Sequence, residues 1–217
     1  MQTFSIIGAT GLVGGEVVRG SRGAFTVHSF GRRKTEIPHA NLQQHIVDFA
    51  QVDQWAHQLT GDALVSCLGT TLQKAGSKDM QYRVDVSYQL EVARAAADRG
   101  IATYVLVSSA GADSSSIFFY SRIKGELEEA VQALPFQRII ILQPSILDGN
   151  RTENRTGERI GLRLMHLLSR LPFLRKYRPV PAETVAQAIL NVVQHPPSDR
   201  VTTYTLDAIF SLAKTTD

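Results

Sequence analysis

Seven consecutive residues, Gly8-Ala9-Thr10-Gly11-Leu12-Val13-Gly14, constrain the fold of this 217-residue chain more than any other stretch. They join an apolar run, Phe4-Ser5-Ile6-Ile7, to Glu16-Val17-Val18, so the local order reads strand, glycine turn, helix. Glycine admits positive φ and lets a ligand approach a backbone that carries no Cβ. The first amides of the helix then face outward, where the positive end of the helix dipole favours a pyrophosphate. A G-x-x-G-x-x-G is a weak signal alone. It gains weight at the first βα junction of a chain that alternates strand and helix.

This chain does alternate. Short β-branched runs at Thr3–Ile7, Phe25–Phe30, His45–Phe49, Leu64–Leu68, Tyr104–Val107 and Arg138–Leu142 predict strands. Helical patterns fall between them at Gly14–Arg19, Val52–Leu59, Asp79–Arg99 and Phe118–Leu134. The expected fold is α/β, a Rossmann-like doubly wound parallel sheet with helices on both faces. Near-continuous apolar runs such as Tyr104-Val105-Leu106-Val107 suit strands covered on both sides. Residues 1–147 form the core of a single domain in this reading. Residues 148–217 supply a small substrate-side cap, with a helix at Ala182–Gln194 and a strand at Val201–Leu206.

With 43% hydrophobic and 20% charged residues, the chain has the balance of an ordinary globular protein. Its formal net charge of +3 is too small to imply nucleic acid, and no apolar run nears the length of a membrane span. The chain starts in a strand with no leader-like stretch and has one cysteine, Cys67, expected as a buried inert thiol; together these point to the cytoplasm. Arg151, Arg155, Arg159, Arg163, Arg170, Arg175, Lys176 and Arg178 crowd one segment, read as a solvated face with some rim that attracts an anion. The six histidines are dispersed and no metal site is expected.

Cofactor choice is made where the second strand ends. An NAD-specific domain of this kind presents an acidic residue there to the ribose 2′-hydroxyl. Here the chain reads Phe30-Gly31-Arg32-Arg33-Lys34, and two guanidiniums accept a 2′-phosphate that a carboxylate would repel. Arg32 and Arg33 therefore argue for NADPH. Asp48 and Phe49 close the third predicted strand, either beside an adenine or with Asp48 capping the next helix. Leu68, Gly69 and Thr70 follow the fourth strand, where a glycine lets the chain pass close to the cofactor.

Tyr120-Ser121-Arg122-Ile123-Lys124 carries the second signal. Positions i and i+4 share a helix face, so phenol and ammonium point into one space. A phenol is a poor acid–base group at neutral pH until a cation stabilises its phenolate. The preceding strand ends in Ser108-Ser109, hydroxyls suited to holding a carbonyl. Tyr120, Lys124, Ser108 and Ser109 thus form a candidate catalytic set for hydride transfer from NADPH to a small carbonyl compound.

With these motifs the chain resembles the atypical short-chain dehydrogenase/reductases. Further stretches carrying the likeness are Cys67-Leu68-Gly69-Thr70-Thr71, Arg83-Val84-Asp85, Ser108-Ser109-Ala110-Gly111 and Lys124-Gly125-Glu126. The resemblance implies NADPH contacts from the Gly8–Val13 turn, Arg32, Arg33, Leu68, Gly69, Tyr120, Lys124, Leu147 and Arg155. Two positions depart from the pattern: Gln143-Pro144 where relatives carry Arg-Pro, and Asp85 where many extended members place an Asn that completes a proton relay. The expected protein is a monomer or homodimer, either a reductase or an NADPH-binding redox sensor that presents a surface to a protein partner.

Overall fold

A computed structural model describes residues 1–148 and 178–214. Its frame is a seven-stranded, all-parallel sheet built from β1 (Gln2–Ile7), β2 (Phe25–Gly31), β3 (Leu42–Ile46), β4 (Ala63–Ser66), β5 (Thr103–Val107), β6 (Arg138–Gln143) and β9 (Val201–Thr205). The order across the sheet is β3-β2-β1-β4-β5-β6-β9, so the direction of winding reverses between β1 and β4. Ligands of such sheets bind beyond the carboxyl ends of the strands at that reversal.

Alternation along each strand divides the core. Phe4, Ile6, Val65, Val105 and Val107 face one side, covered by α1 (Leu12–Gly20) and the helix Ala182–Gln194. Ile7, Leu64, Tyr104 and Leu106 face the other, covered by α5 (Tyr88–Asp98) and α6 (Phe119–Gln132). Between β4 and α5 run α3 (Leu72–Ala75), α4 (Lys78–Tyr82) and a π-helical turn at Arg83–Ser87.

Three differences from the sequence reading have clear causes. The third strand is Leu42–Ile46, not His45–Phe49: as an edge strand it tolerates the polar Gln43, Gln44 and His45, while the apolar Val47 and Phe49 cover the core just beyond it. The helix expected over Val52–Leu59 shortens to α2 (Val52–Trp55) with a tight 3₁₀ turn on each side. The strand expected in the cap at Val201–Leu206 forms as Val201–Thr205 and instead pairs with β6 as the last strand of the main sheet, and the helix Ala182–Gln194 lies against α1. The described elements set apart are β7 (Leu147–Asp148) and β8 (Val180–Pro181), which pair as a second small sheet.

Candidate functional site

The register Ile7↔Phe30 ends β1 and β2 at one level, which sets the Gly8–Gly14 turn beside Gly31-Arg32-Arg33. Gly8 has φ +85°, and a Cβ there would overlap the backbone of Cys67 after β4. The Gly11 amide donates to the Gly8 carbonyl at 2.9 Å, folding the turn tightly. Gly14 lies against that same carbonyl, so α1 packs onto the strand with no room for a methyl. Thr10 and Gly11 are exposed, Leu12 is half-buried, and Ala9 and Val13 are buried. No side chain caps α1, and its first turn holds no acidic residue. That leaves helix-terminal amides for an anion, as a pyrophosphate requires. Arg32 and Arg33 are exposed at the rim of the same edge.

Asp48 caps the tight turn Phe49–Gln51, its Oδ1 accepting the Ala50 amide at 2.9 Å. The Phe49 ring is buried against Trp55 and Tyr88, so it offers no face to an adenine; this corrects the role expected for it. The Trp55 indole N–H donates to the Asp48 carbonyl and fastens the turn to the core.

Beyond β4 the chain meets the π-turn. Asp85 is 1% exposed, and its Oδ2 accepts the Thr70 amide at 3.1 Å. A Cβ on Gly69 would stand 3.3 Å from Asp85 Oδ1, tight packing that a glycine relieves. The extra residue of the turn is stabilised by Gln89, whose amide donates to the Asp85 carbonyl at 2.8 Å and accepts the Ser66 hydroxyl through Oε1 at 2.7 Å. Such π-turns interrupt the ordinary helical ladder and recur at functional sites. The sequence reading took Asp79–Arg99 as one helix and so missed it.

Lys124 is 4% exposed, with Nζ 3.0 Å from Asp85 Oδ1 and 5.9 Å from the centre of the Tyr120 ring. Burial alone would lower the Lys124 ammonium; the charges of Asp85, Tyr120 and Glu128 outweigh it and hold the group above the usual lysine range. Tyr120 itself is exposed. Strand alternation separates the two serines, because Tyr104 and Leu106 face α6 while Val105 and Val107 face away. Ser108 therefore continues on the α6 side. Its hydroxyl is buried with no hydrogen-bond partner among the described residues, whereas the Ser109 hydroxyl donates to the Ala110 carbonyl at 3.4 Å. Gln143 donates to the buried Glu128 carboxylate, one turn along α6 from Lys124.

Leu147 is half-buried in the small sheet and packs against the core. Arg155 and the arginine-rich segment up to Lys176 lie outside the described residues. Arg178 belongs to packing: its guanidinium lies 3.8 Å from the centre of the Phe210 ring and pairs with Asp207. Cys67 packs beside the core, and burial pushes its thiol up to about 12. Glu128 and Gln89 were not foreseen; their only trace in the sequence is a polar residue on a helix face that is otherwise apolar.

A strand order that reverses beside a glycine cradle, with a phenol and a buried ammonium at the same sheet edge, defines a Rossmann protein that binds a pyridine dinucleotide. The sequence profile of a family described as NAD(P)H-binding matches residues 8–196. The chain belongs to that family, as an atypical short-chain dehydrogenase/reductase that resembles the HTATIP2 branch. It is 36% identical to the protein HTATIP2 of Rattus norvegicus over 219 residues, 98% of this chain and 89% of that one. It is 38% identical to "Protein fmp52, mitochondrial" of Aspergillus niger over 170 residues, 74% of this chain and 73% of the relative. Among solved structures, the enzyme WbmH of Bordetella bronchiseptica in complex with NAD+ matches the fold with a TM-score of 0.70 at 15% identity, covering 94% of this chain and 75% of that one.

One expectation is overturned. The cytoplasmic location expected from the sequence gives way, because the fungal relatives are named as mitochondrial proteins. Among the described residues, no helix is long and apolar enough to cross a membrane.

Proposed function

We propose that the protein is an NADPH-dependent reductase of a small carbonyl compound. The observation that carries this reading is the buried Lys124 beneath the exposed Tyr120, with the buried Ser108 hydroxyl, which has no partner among the described residues, after the neighbouring strand. The Gly8–Gly14 turn would hold the pyrophosphate, Leu68, Gly69 and Thr70 would line the dinucleotide, and Arg32 and Arg33 would accept the 2′-phosphate. When bound, NADPH supplies the hydride for the carbonyl carbon. Ser108 orients the carbonyl oxygen, and Tyr120 gives it a proton. The Lys124 ammonium stabilises the phenolate left behind.

Tyr120→Phe tests the assignment. Turnover of NADPH with a carbonyl substrate should fall by at least about 100-fold while NADPH affinity stays unchanged. Equal turnover in the variant would discard the role.

A second reading, an NADPH-binding regulator that docks a protein partner, draws on Ile117 and Phe118, which are 87% and 71% exposed just before α6. Assay against a panel of aldehydes, ketones and quinones separates the two. Tight NADPH binding with no turnover on any of them favours the regulator.

A further inference from the structure

Asp85 makes more contacts than a buried helix residue needs for packing. Its two carboxylate oxygens reach two different elements of the site: Oδ2 takes the Thr70 amide, and Oδ1 meets the Lys124 ammonium at 3.0 Å. Gly69 lies against Oδ1 where a side chain would crowd it. The π-turn sets Asp85 off the regular helical ladder, and Gln89 occupies the Asp85 carbonyl that the interruption exposes. A carboxylate and an ammonium, both nearly without solvent, hold each other in place because neither has water as a substitute partner.

We propose that Asp85 is a positioning residue for the Tyr120–Lys124 pair: its carboxylate fixes the Lys124 ammonium beneath Tyr120 and ties it to the Gly69-Thr70 turn, so that the charge offered to the phenol and the shape of the dinucleotide-side loop are set by one side chain. This rests on the reading of Tyr120 and Lys124 as the reacting pair. An amide at position 85 could accept the Thr70 N–H equally well, but it could not neutralise Lys124. The choice of Asp therefore bears on charge and not on loop shape alone.

The charged and titratable groups acting on Lys124 are Asp85 from the π-turn and Tyr120 and Glu128 from its own helix. From β6, the neutral Gln143 amide faces Glu128. With Asp85 neutralised, burial acts on Lys124 against weaker opposition, and the ammonium becomes more acidic. The direction follows from the geometry: removing the nearest anion from a buried cation favours the neutral amine.

The test is an NMR titration of the ¹⁵N-lysine-labelled protein without nucleotide, with the Lys124 Nζ resonance assigned by its loss in Lys124→Arg. In the parent, this ammonium should persist to a pH above that of the exposed lysines. In Asp85→Asn, its midpoint should fall by at least about one pH unit, a tenfold gain in acidity, and Asp85→Glu should recover most of the shift. The pH profile of NADPH turnover in Asp85→Asn should move with it, whereas a residue that only packs would lower Tm and leave both profiles in place. An unshifted Lys124 midpoint in Asp85→Asn overturns the proposal. Where Asp85→Asn does not fold, the parent decides alone: an ordinary or solvent-exchanging Lys124 resonance overturns it, and a persistent, slowly exchanging one supports it. A shifted midpoint in a protein that reduces no carbonyl compound upholds the Asp85 assignment and removes the reductase reading instead.

Discussion

Gln143 donates its side-chain amide to both carboxylate oxygens of Glu128, at 3.0 and 2.9 Å, joining the end of β6 to the middle of α6. Glu128 is 8% exposed, so this amide is a main compensation for a charge taken out of water. The departure Gln143-Pro144 thus has a structural partner: where an Arg would neutralise Glu128, Gln only hydrogen-bonds it. Lys124, one turn earlier on the same helix, supplies part of the missing positive charge.

Removing that amide should therefore be costly. Gln143→Ala leaves a buried carboxylate short of a donor, a loss of about 1–3 kcal/mol. Urea denaturation should show the fall in stability, and Gln143→Arg should restore or exceed the parent value.

Gly14→Ala should destabilise the protein although alanine is the better helix former. A methyl at Gly14 would overlap the Gly8 carbonyl, and strand and turn would have to part, at a cost of about 1–3 kcal/mol. NADPH affinity should fall in the same variant, because the turn that moves is the one proposed for the pyrophosphate. Denaturation and fluorescence titration read the two effects separately.

Replacing Arg32 and Arg33 by alanine should weaken NADPH binding by at least about tenfold, since hydrogen bonds to charged groups contribute about 1.5–3 kcal/mol. NADH, which lacks the 2′-phosphate, should lose little. Parallel titrations of both nucleotides check this, and an equal loss for each would remove the arginines from cofactor choice.

Acid should weaken the sheet edge. His28 and His45 stack with ring centres 5.6 Å apart and nitrogens 3.3 Å apart, and burial, followed by the charge of His45, lowers the His28 imidazole. A group whose folded value lies below its unfolded one contributes stability above the unfolded value of about 6.5 and loses it as pH falls. Tm should therefore decline from pH 7 to pH 5, and His28→Gln should flatten that decline.

Cys67 should resist thiol reagents in the folded protein. With its thiol pushed up to about 12, almost none is ionised at pH 8, and the thiolate is the reactive form. A colorimetric thiol assay should report reaction only after denaturant is added.

The repeating pattern was legible because its signals are local. The glycine turn, the β-branched runs and the helical spacing of Phe118–Leu134 each depend on neighbours a few residues away, and β1, β2, β4, β5, β6 and α6 fell close to their expected places. Edge strand β3 was displaced because exposure on one side removes the apolar run that marks an interior strand. The π-turn at Arg83–Ser87 left no trace in periodicity, since the Gln89 side chain that satisfies the Asp85 carbonyl there is a contact within an otherwise continuous helix.

By itself, then, the order of residues determined a doubly wound parallel sheet, a phosphate-type turn at its first junction and a phenol four residues before a lysine, all consequences of spacing along the backbone. Tertiary structure alone decided that the Ser108 hydroxyl is buried without a partner among the described residues while the Ser109 hydroxyl bonds its own neighbour, that Asp85 pairs with Lys124, that Gln143 serves Glu128 and that Val201–Thr205 closes the main sheet. The last three relationships join segments 15 to about 60 residues apart, and such distances are set by how the sheet winds. Once buried, the groups it brings together must satisfy one another, because water no longer can.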